Sequence, residues 1–223
     1  YATPATKDVA EIILKDSGFL QEKDAEFLNR HGTTKHHPAL ALYGVHDAQR
    51  AVEHFSTVDF GQTVRLAGGA LLRFERAGHI LGAAIARVEW GGCRIVFSGD
   101  LGRFGDPLLP DPAQVPEADY VMIESTYGNR NHDAGDPTET LGQIIEKTVL
   151  RGGTVVIPSF AVGRAQSLLY YLWRLKQMGR LGNVPIFLDS PMAIDATQLM
   201  AAHPHDHRLD ADTCRQVFGI ARY

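Results

Sequence analysis

Two apolar runs of this sequence end at a side chain of a type that binds metals, and a glycine precedes each of these side chains. The stretch RAGHILGAAIARVEWGGCRIVFSGDLGR spans residues 76–103, and within it His79 and Asp100 each follow a glycine. Glycine turns at strand ends allow several strands to bring polar residues to one edge of a sheet. Imidazole nitrogen and carboxylate oxygen are both zinc ligands. With Glu124, which ends a third apolar run, the pattern predicts one shared site, whereas each residue alone would be an ordinary turn residue.

The first 128 residues have the patterns of helices followed by an antiparallel sheet. KDVAEIILKDSG, with a stop at Gly18, and EKDAEFLNRHG predict two short helices, and Asp47 can cap a third after the loop TTKHHP. Three runs rich in β-forming residues follow and are joined by Gly-Gly turns, which favours an antiparallel meander. These runs are TVRLAGGALLRFERAG, AAIARVEW and CRIVFSGD. DYVMIEST is almost wholly apolar and predicts a strand covered on both faces.

From about Asn129 onward, helical and apolar strand patterns alternate. Helices are predicted for PTETLGQIIEKTVL, GRAQSLLYYLWRLKQMG and PMAIDATQLMAAHP. Buried strands are predicted for TVVIPS and VPIFLDS. Such alternation implies right-handed crossovers and a parallel sheet. We therefore place a domain boundary near Gly128, with an antiparallel-rich α/β part before it and a parallel, Rossmann-like part after it.

Composition excludes several classes of function. The formal net charge of −4 argues against a nucleic-acid binder that depends on overall positive charge, although a local basic groove stays open. Cys93 and Cys214 are far apart and form no C-x-x-C pair, so the sequence suggests neither a disulfide framework nor a zinc knuckle and fits a reducing, cytoplasmic compartment. The sequence shows no apolar run of membrane-spanning length and no signal-peptide pattern, so we expect no membrane partner.

Several motifs together resemble one family. AGHILGAA, FSGDLGR and IESTYGNR, followed by IPSFAVGRAQSLLYYL and DSPMA, resemble the motifs of the RNA-processing nucleases that form the β-CASP branch of the metallo-β-lactamase fold. The resemblance covers nearly the whole chain. It implies an α/β fold in which residues 1–128 are part of a metallo-β-lactamase αββα sandwich. Residues 129–223 would then be part of a Rossmann-like, parallel-sheet β-CASP cap domain.

The resemblance also implies a site and a reaction. In this family, His79 matches a histidine that ligates one zinc, and Asp100 matches an aspartate that bridges two zincs. Glu124 matches an acidic residue that orients a histidine supplied by a later motif. The alternative for Glu124 is a carboxylate that caps the following turn. The implied function is ribonuclease activity, in which a metal-bound hydroxide hydrolyses phosphodiester bonds of single-stranded RNA, with Asp100 and Glu124 as catalytic residues and two zincs in the complete site.

Three further residues are candidates for substrate binding. Arg164 and the free amides at the start of its helix could cradle a phosphate, and Ser159 could add a hydroxyl. The competing interpretation is that Arg164 starts a helix and pairs with a nearby carboxylate. Tyr127 could stack on a base or pack between domains.

The sequence also departs from the family pattern. No H-x-H-x-D-H occurs before His79, and the two histidine-centred β-CASP motifs would lie beyond Tyr223. We therefore expect an incomplete zinc site and no activity in this chain alone, as in a chain that begins after the first motif and ends inside the cap. The alternatives are a non-catalytic β-CASP scaffold or RNA-binding subunit and, more weakly, another hydrolase such as a thioesterase. A homodimer is one possible assembly.

One histidine-rich stretch looks like a replacement for the missing signature. HPHDHRLD contains His203, His205, Asp206 and His207, but the spacing is wrong and the stretch follows a predicted helix. We predict a solvated loop or helix end there, with adventitious metal binding as the alternative. His36 and His37 beside Lys35 predict an exposed loop, with contact to an RNA backbone as the functional alternative.

Overall fold

The computed structural model describes residues 1–131 and 135–223 and has the α/β fold that the sequence predicts. None of the helices in these two ranges is long and apolar enough to cross a membrane. In chain order, the helices and strands are α1 (Pro4–His31), α2 (Val45–Glu53), β1 (Thr63–Arg65), β2 (Leu71–Arg76), β3 (Ala84–Trp90), β4 (Cys93–Phe97), β5 (Tyr120–Met122), α3 (Pro137–Leu150), α4 (Arg164–Gln177), β6 (Ile186–Phe187), α5 (Pro191–Ala202), α6 (Ala211–Phe218) and β7 (Ala221–Arg222).

The first helix is longer than predicted. Instead of two short helices, α1 continues for 28 residues, with Thr3 as its N-cap and Gly32 at its end. The predicted stop at Gly18 is wrong, because this glycine is buried where α1 crosses the start of α2. A Cβ added there would lie 2.8 Å from the carbonyl carbon of Gly44. Gly18 therefore permits close helix packing. The N-cap of α2 is Gly44 rather than Asp47, which lies in the first turn and whose carboxylate accepts the Gly44 N–H at 3.1 Å.

The predicted meander is confirmed. The sheet has the order β1-β2-β3-β4-β5, and the first four strands pair antiparallel with their neighbours. The register places Phe74 opposite Ala86, and Leu72 opposite Val88. These residues share one sheet face, where they pack around Val58.

Two strand predictions fail. β5 pairs parallel with β4, but it lies at the sheet edge, and its residues 120–122 are 61–65 % exposed rather than covered on both faces. TVVIPS, predicted as a buried strand, is irregular chain outside both sheets, and Val156 is 82 % exposed. In TVVIPS only Val155 packs against the core, beside the cluster that contains Ile145 and Leu172, whereas the β5 side chains stay exposed.

The helices after residue 135 follow the predicted order. The apolar stripe of α4 is core as expected, with Leu169, Leu172 and Leu175 buried. VPIFLDS, predicted as a buried strand, gives only the two-residue strand β6, in which Phe187 is 66 % exposed. β6 pairs parallel with β7, which the sequence did not predict, with Ile186 opposite Ala221 and Phe187 opposite Arg222, and TVVIPS takes no part in this sheet.

One apolar cluster joins the parts of the chain before and after the predicted boundary near Gly128. Its members come from α1, from the loops after β2 and before β5, and from α4, α5 and α6. The buried members are Ala5, Val9, Leu81, Leu108, Leu109, Leu169, Met200, Leu209, Cys214, Val217, Phe218 and Ala221. The boundary itself stays a prediction, but the two parts share one core.

Candidate metal centre

The turn that carries His79 follows β2 directly. Gly78 has a φ of 68°, in the left-handed region, and a Cβ added to it would lie 2.4 Å from the Pro110 carbonyl oxygen. The Arg76 carbonyl, at the end of β2, accepts the Ala113 N–H at 2.8 Å. The chain around residues 110–113 therefore lies directly against the backbone that positions His79.

The turn that carries Asp100 follows β4 and packs against the first turn. Gly102 donates its N–H to the Ala77 carbonyl at 2.8 Å, and a Cβ on Gly102 would lie 1.8 Å from the Gly78 oxygen. The two turns therefore touch backbone to backbone. This contact brings the side chains together, with His79 Nε2 4.0 Å from Asp100 Oδ2.

Glu124 follows β5 and is tied to the same pair of turns. Its N–H donates to Ser98 Oγ at 3.0 Å, and its carboxylate accepts the Leu101 N–H. The Leu101 N–H, followed by hydrogen bonds from Thr126, holds the pKa of the Glu124 carboxyl below its ordinary value, and His79 acts in the same direction. Glu124 thus caps its own turn, as the alternative interpretation expected, and also binds the residue after Asp100.

The His79–Asp100 pair lies at the rim of an open pocket of about 610 Å³. The pocket is lined mainly by apolar residues of α1, including Val9 and Ile13, and by Phe74 of β2. The His79 side chain is 45 % exposed and that of Asp100 is 74 % exposed. Both are therefore accessible to a metal ion and to a substrate.

The pair fits as part of a zinc site. Two ligands at tetrahedral positions on one zinc have donor atoms roughly 3.4 Å apart, so a movement of under about 1 Å would allow both to bind one ion. A catalytic zinc usually has three protein ligands. Within residues 1–131 and 135–223, no group of three or more His, Cys, Asp or Glu side chains is placed to hold a metal. Among the residues that the structure describes, His79 and Asp100 could therefore supply two ligands to such a site but not a complete set.

The predicted substrate residues lie on the surface. Arg164 is the exposed first residue of α4, and Ser159 is exposed in the irregular chain before it. An added Cβ at Gly163 would lie 2.9 Å from Ile80, so the start of α4 is beside the His79 turn. The Gln166 side chain accepts the Gly163 N–H at 2.7 Å and so occupies one of the amides available there.

Tyr127 lies in the turn that follows Glu124. Its φ is 57°, its exposure is 58 %, and the Arg130 guanidinium lies over its ring at 5.5 Å.

The segment HPHDHRLD begins at the C-cap of α5 and is irregular chain, as predicted, and His205 is exposed, but the segment is only partly solvated. His207 is 7 % exposed; its Nε2 lies 2.7 Å from the Met200 carbonyl oxygen, and its Nδ1 accepts the Leu209 N–H at 3.1 Å. His203 Nε2 lies 2.7 Å from the Asp8 carboxylate. The imidazoles of His203 and His207 therefore form hydrogen bonds with other groups of this chain. His36 and His37 lie in an exposed loop, as predicted.

Comparisons with known proteins show which family this chain resembles. Residues 165–223 match the Beta-Casp domain. A Thermus thermophilus ribonuclease is 40 % identical over 194 residues, which are 86 % of this chain and 40 % of that protein. The chain belongs to the β-CASP family.

Other members of the β-CASP family are also similar. The transcription termination factor FttA of Pyrococcus horikoshii is 33 % identical over 211 residues, 92 % of this chain and 30 % of that protein. The endoribonuclease YSH1 of Eremothecium gossypii is 38 % identical over 160 residues, 68 % of this chain and 20 % of that protein. The chain thus spans between 20 and 40 % of the length of these three relatives.

Proposed function

We propose that this chain is part of a zinc-dependent β-CASP ribonuclease that hydrolyses phosphodiester bonds of single-stranded RNA in the cytoplasm. The observation that carries the proposal is the accessible His79–Asp100 pair, 4.0 Å apart at the meeting of two glycine turns. Relatives named ribonuclease and endoribonuclease support RNA as the substrate. The free cysteines, Cys93 and Cys214, fit a reducing compartment.

In this proposal His79 Nε2 and the Asp100 carboxylate hold zinc together with further ligands. Zinc, when bound, supplies activation of the attacking water and stabilisation of charge on the phosphate. The residues of this chain set the geometry. The Glu124 carboxylate, whose pKa the Leu101 N–H lowers, accepts this N–H and thereby would fix the Leu101 backbone and with it the turn that carries Asp100.

Substrate contacts extend the proposal to the start of α4. Arg164 begins α4 directly after Gly163, which lies beside Ile80, and its guanidinium would pair with a phosphate of the RNA backbone. Ser159 would donate its hydroxyl to a neighbouring phosphate, and the exposed ring of Tyr127 would stack on a base.

The test is Asp100→Ala in the protein that contains this chain. We expect cleavage of a labelled single-stranded RNA to fall by at least about 100-fold, because the carboxylate would hold the metal. Thermal stability should change little, since the side chain is 74 % exposed. Asp212→Ala is the matched control, because Asp212 is a 78 % exposed carboxylate on α6. Near-normal cleavage by Asp100→Ala would reject the assignment.

A second candidate is a non-catalytic β-CASP scaffold or RNA-binding subunit. It is favoured by the ligand count, because within residues 1–131 and 135–223 no third ligand joins the pair. Zinc analysis separates the two functions. A ribonuclease binds zinc and loses cleavage when a chelator removes it, whereas the scaffold binds RNA without zinc and without cleavage.

A further inference from the structure

Residues 203–208, called the strap below, follow α5 in the chain and contact the loop that supports the His79 turn. The strap belongs to the helical part of the chain that follows the predicted boundary. Its side chains nevertheless contact residues before that boundary, in α1, at the end of β2 and in the loop 105–112. Three of its residues make these contacts: His203, Asp206 and Arg208.

Arg208 binds the loop 105–112 through three donors. Its backbone N–H donates to the Leu108 carbonyl at 2.7 Å, and its Nε donates to the Leu109 carbonyl at 2.8 Å. Its Nη2 donates to Asp111 Oδ1 at 2.7 Å, an oxygen that also accepts the Gly105 N–H at 2.8 Å. The guanidinium thus holds one backbone carbonyl and one carboxylate of the same loop at the same time, which a single point charge could not do with this geometry.

Asp206 binds the strand that leads to His79. Its Oδ1 accepts from Arg76 Nη1 at 2.8 Å, and the Asp206 side chain is only 13 % exposed. Arg76 is the last residue of β2, and its carbonyl accepts the Ala113 N–H at 2.8 Å. The strap therefore holds both the end of β2 and the loop that pairs with it.

These contacts reach the metal pair through backbone packing. The loop held by Arg208 contains Pro110, whose carbonyl oxygen lies 2.4 Å from the position of a Cβ on Gly78. Gly78 also contacts the turn that carries Asp100, because a Cβ on Gly102 would lie 1.8 Å from the Gly78 carbonyl oxygen. The backbone before His79 is thus in contact both with the loop that the strap holds and with the Asp100 turn. A shift of the loop would change the separation of His79 and Asp100.

We propose that Arg208 and Asp206 are positioning residues that set the distance between His79 and Asp100 from the helical part of the chain. The inference rests on the proposed function, because it assigns the pair to a metal. It differs from a purely structural role, in which the strap would only join two parts of the protein. Groups that hydrogen-bond directly to metal ligands typically change metal affinity or activity by about 10–100-fold when they are removed, and because Arg208 and Asp206 act through the intervening backbone, we expect an effect at the lower end of this range.

The test measures Zn²⁺ affinity in the protein that contains this chain, by competition with a chromophoric chelator, together with Tm. The variants are Arg208→Lys, Arg208→Ala and Asp206→Ala. Arg215→Ala is the matched control. Arg215 pairs with Asp212 on the exposed surface of α6, and its substitution by alanine removes the same charge as Arg208→Ala. We expect Arg208→Lys to keep Tm within about 2–4 °C of wild type. Its Zn²⁺ affinity should nevertheless fall about 10-fold, since an ammonium cannot reproduce the guanidinium fork.

Arg208→Ala and Asp206→Ala should weaken Zn²⁺ binding at least as much as Arg208→Lys, and the control should not weaken it. In RNA cleavage, the same variants should lower kcat with little change in KM. Unchanged Zn²⁺ affinity in both alanine variants, or full recovery of affinity by lysine, would overturn the inference. If Arg208→Ala does not fold, Arg208→Lys and Asp206→Ala decide the matter. A wild-type protein that binds no zinc would instead reject the proposed function, and the inference with it.

Discussion

At the scale of single residues, Glu124 links protonation to the stability of the Asp100 turn. Its carboxylate accepts the Leu101 N–H, and its pKa lies below the ordinary value of 4.5. A lowered pKa in the folded state means that the ionised form is favoured by folding. Its contribution to stability is therefore complete above about pH 5 and is lost as the pH falls through the folded-state pKa.

Glu124→Gln should lower the free energy of unfolding by about 1 kcal/mol at pH 7, because an amide oxygen accepts the Leu101 N–H more weakly than a carboxylate. The difference from wild type should shrink as the pH falls below the ordinary value of 4.5. Urea denaturation between pH 7 and pH 3 measures it. Glu117→Gln, at an exposed carboxylate, is the control. A difference that stays constant across this range would contradict the assigned role of the charge.

Gly78 is the residue on which the close packing of the two turns depends. Gly78→Ala should destabilise the protein by about 2–5 kcal/mol, since it adds left-handed backbone strain and a collision with the Pro110 carbonyl. Gly91→Ala separates the two causes. Gly91 has a φ of 58° but nothing within 4 Å of an added Cβ, so strain alone should cost about 1–2 kcal/mol. If thermal unfolding shows that Gly78→Ala and Gly91→Ala lower the stability of the protein by the same amount, the collision at Gly78 is relieved by a shift of the loop.

The candidate site could be predicted from the sequence only in part, for a physical reason. His79, Asp100 and Glu124 end apolar runs, and residues at strand ends meet at a sheet edge, so their neighbourhood follows from a local pattern. Arg208 binds two backbone carbonyls and a carboxylate far away in the chain. Every residue has a backbone carbonyl, so the sequence does not indicate which carbonyls accept a hydrogen bond from Arg208, and no motif could identify this contact.

At the scale of helices and strands, Gly18 shows how a packing requirement reverses an intrinsic preference. Alanine in an exposed helix is favoured over glycine by about 1 kcal/mol. At Gly18 the added Cβ meets the backbone of Gly44, and overpacking of this kind costs about 1–3 kcal/mol. Gly18→Ala should therefore lower Tm. Asp24→Ala, at an exposed position of the same helix, should raise it slightly. An increase in Tm for Gly18→Ala would mean that α1 and α2 are not closely packed there.

β5 shows why helix and meander patterns were predicted better than strand burial. The patterns of α3, α4 and the meander are local, because period and turn residues determine them. Burial of an apolar strand depends instead on what packs over it, and a sequence run does not contain that information. β5 has exposed apolar residues on both faces and a free edge in the described structure, which favours pairing with other chains.

Val121→Lys should therefore reduce self-association of the 223-residue chain, since a lysine on an exposed edge strand opposes pairing between chains. Val121 is 61 % exposed, so Tm should change by little. Light scattering after size-exclusion chromatography measures the mass distribution. Thr140→Lys, on the exposed surface of α3, is the control for added charge. The same mass distribution for wild type and Val121→Lys would show that β5 does not mediate association.

At the scale of the whole molecule, the number of ligands limits what this chain does by itself. His79 and Asp100 form a pair, and within residues 1–131 and 135–223 no third side chain completes a metal group. The 223-residue chain should therefore retain less than one zinc per molecule after gel filtration and should not cleave RNA. Elemental analysis measures the zinc content. Two tightly held zincs would show that the described ligand set is larger than the pair.

The apolar cluster shared by α1, the loop before β5 and helices α4 to α6 also defines which piece of the protein can be transplanted. The family match covers residues 165–223, but the apolar faces of that segment rest on Leu81, Leu108 and Leu109. A chimera that exchanges only this segment between relatives would bring two surfaces together that did not evolve as neighbours. The smallest exchangeable unit therefore includes the supporting loops on the other side of Gly128, and recombination between relatives should succeed when its crossovers keep those loops and helices from one parent.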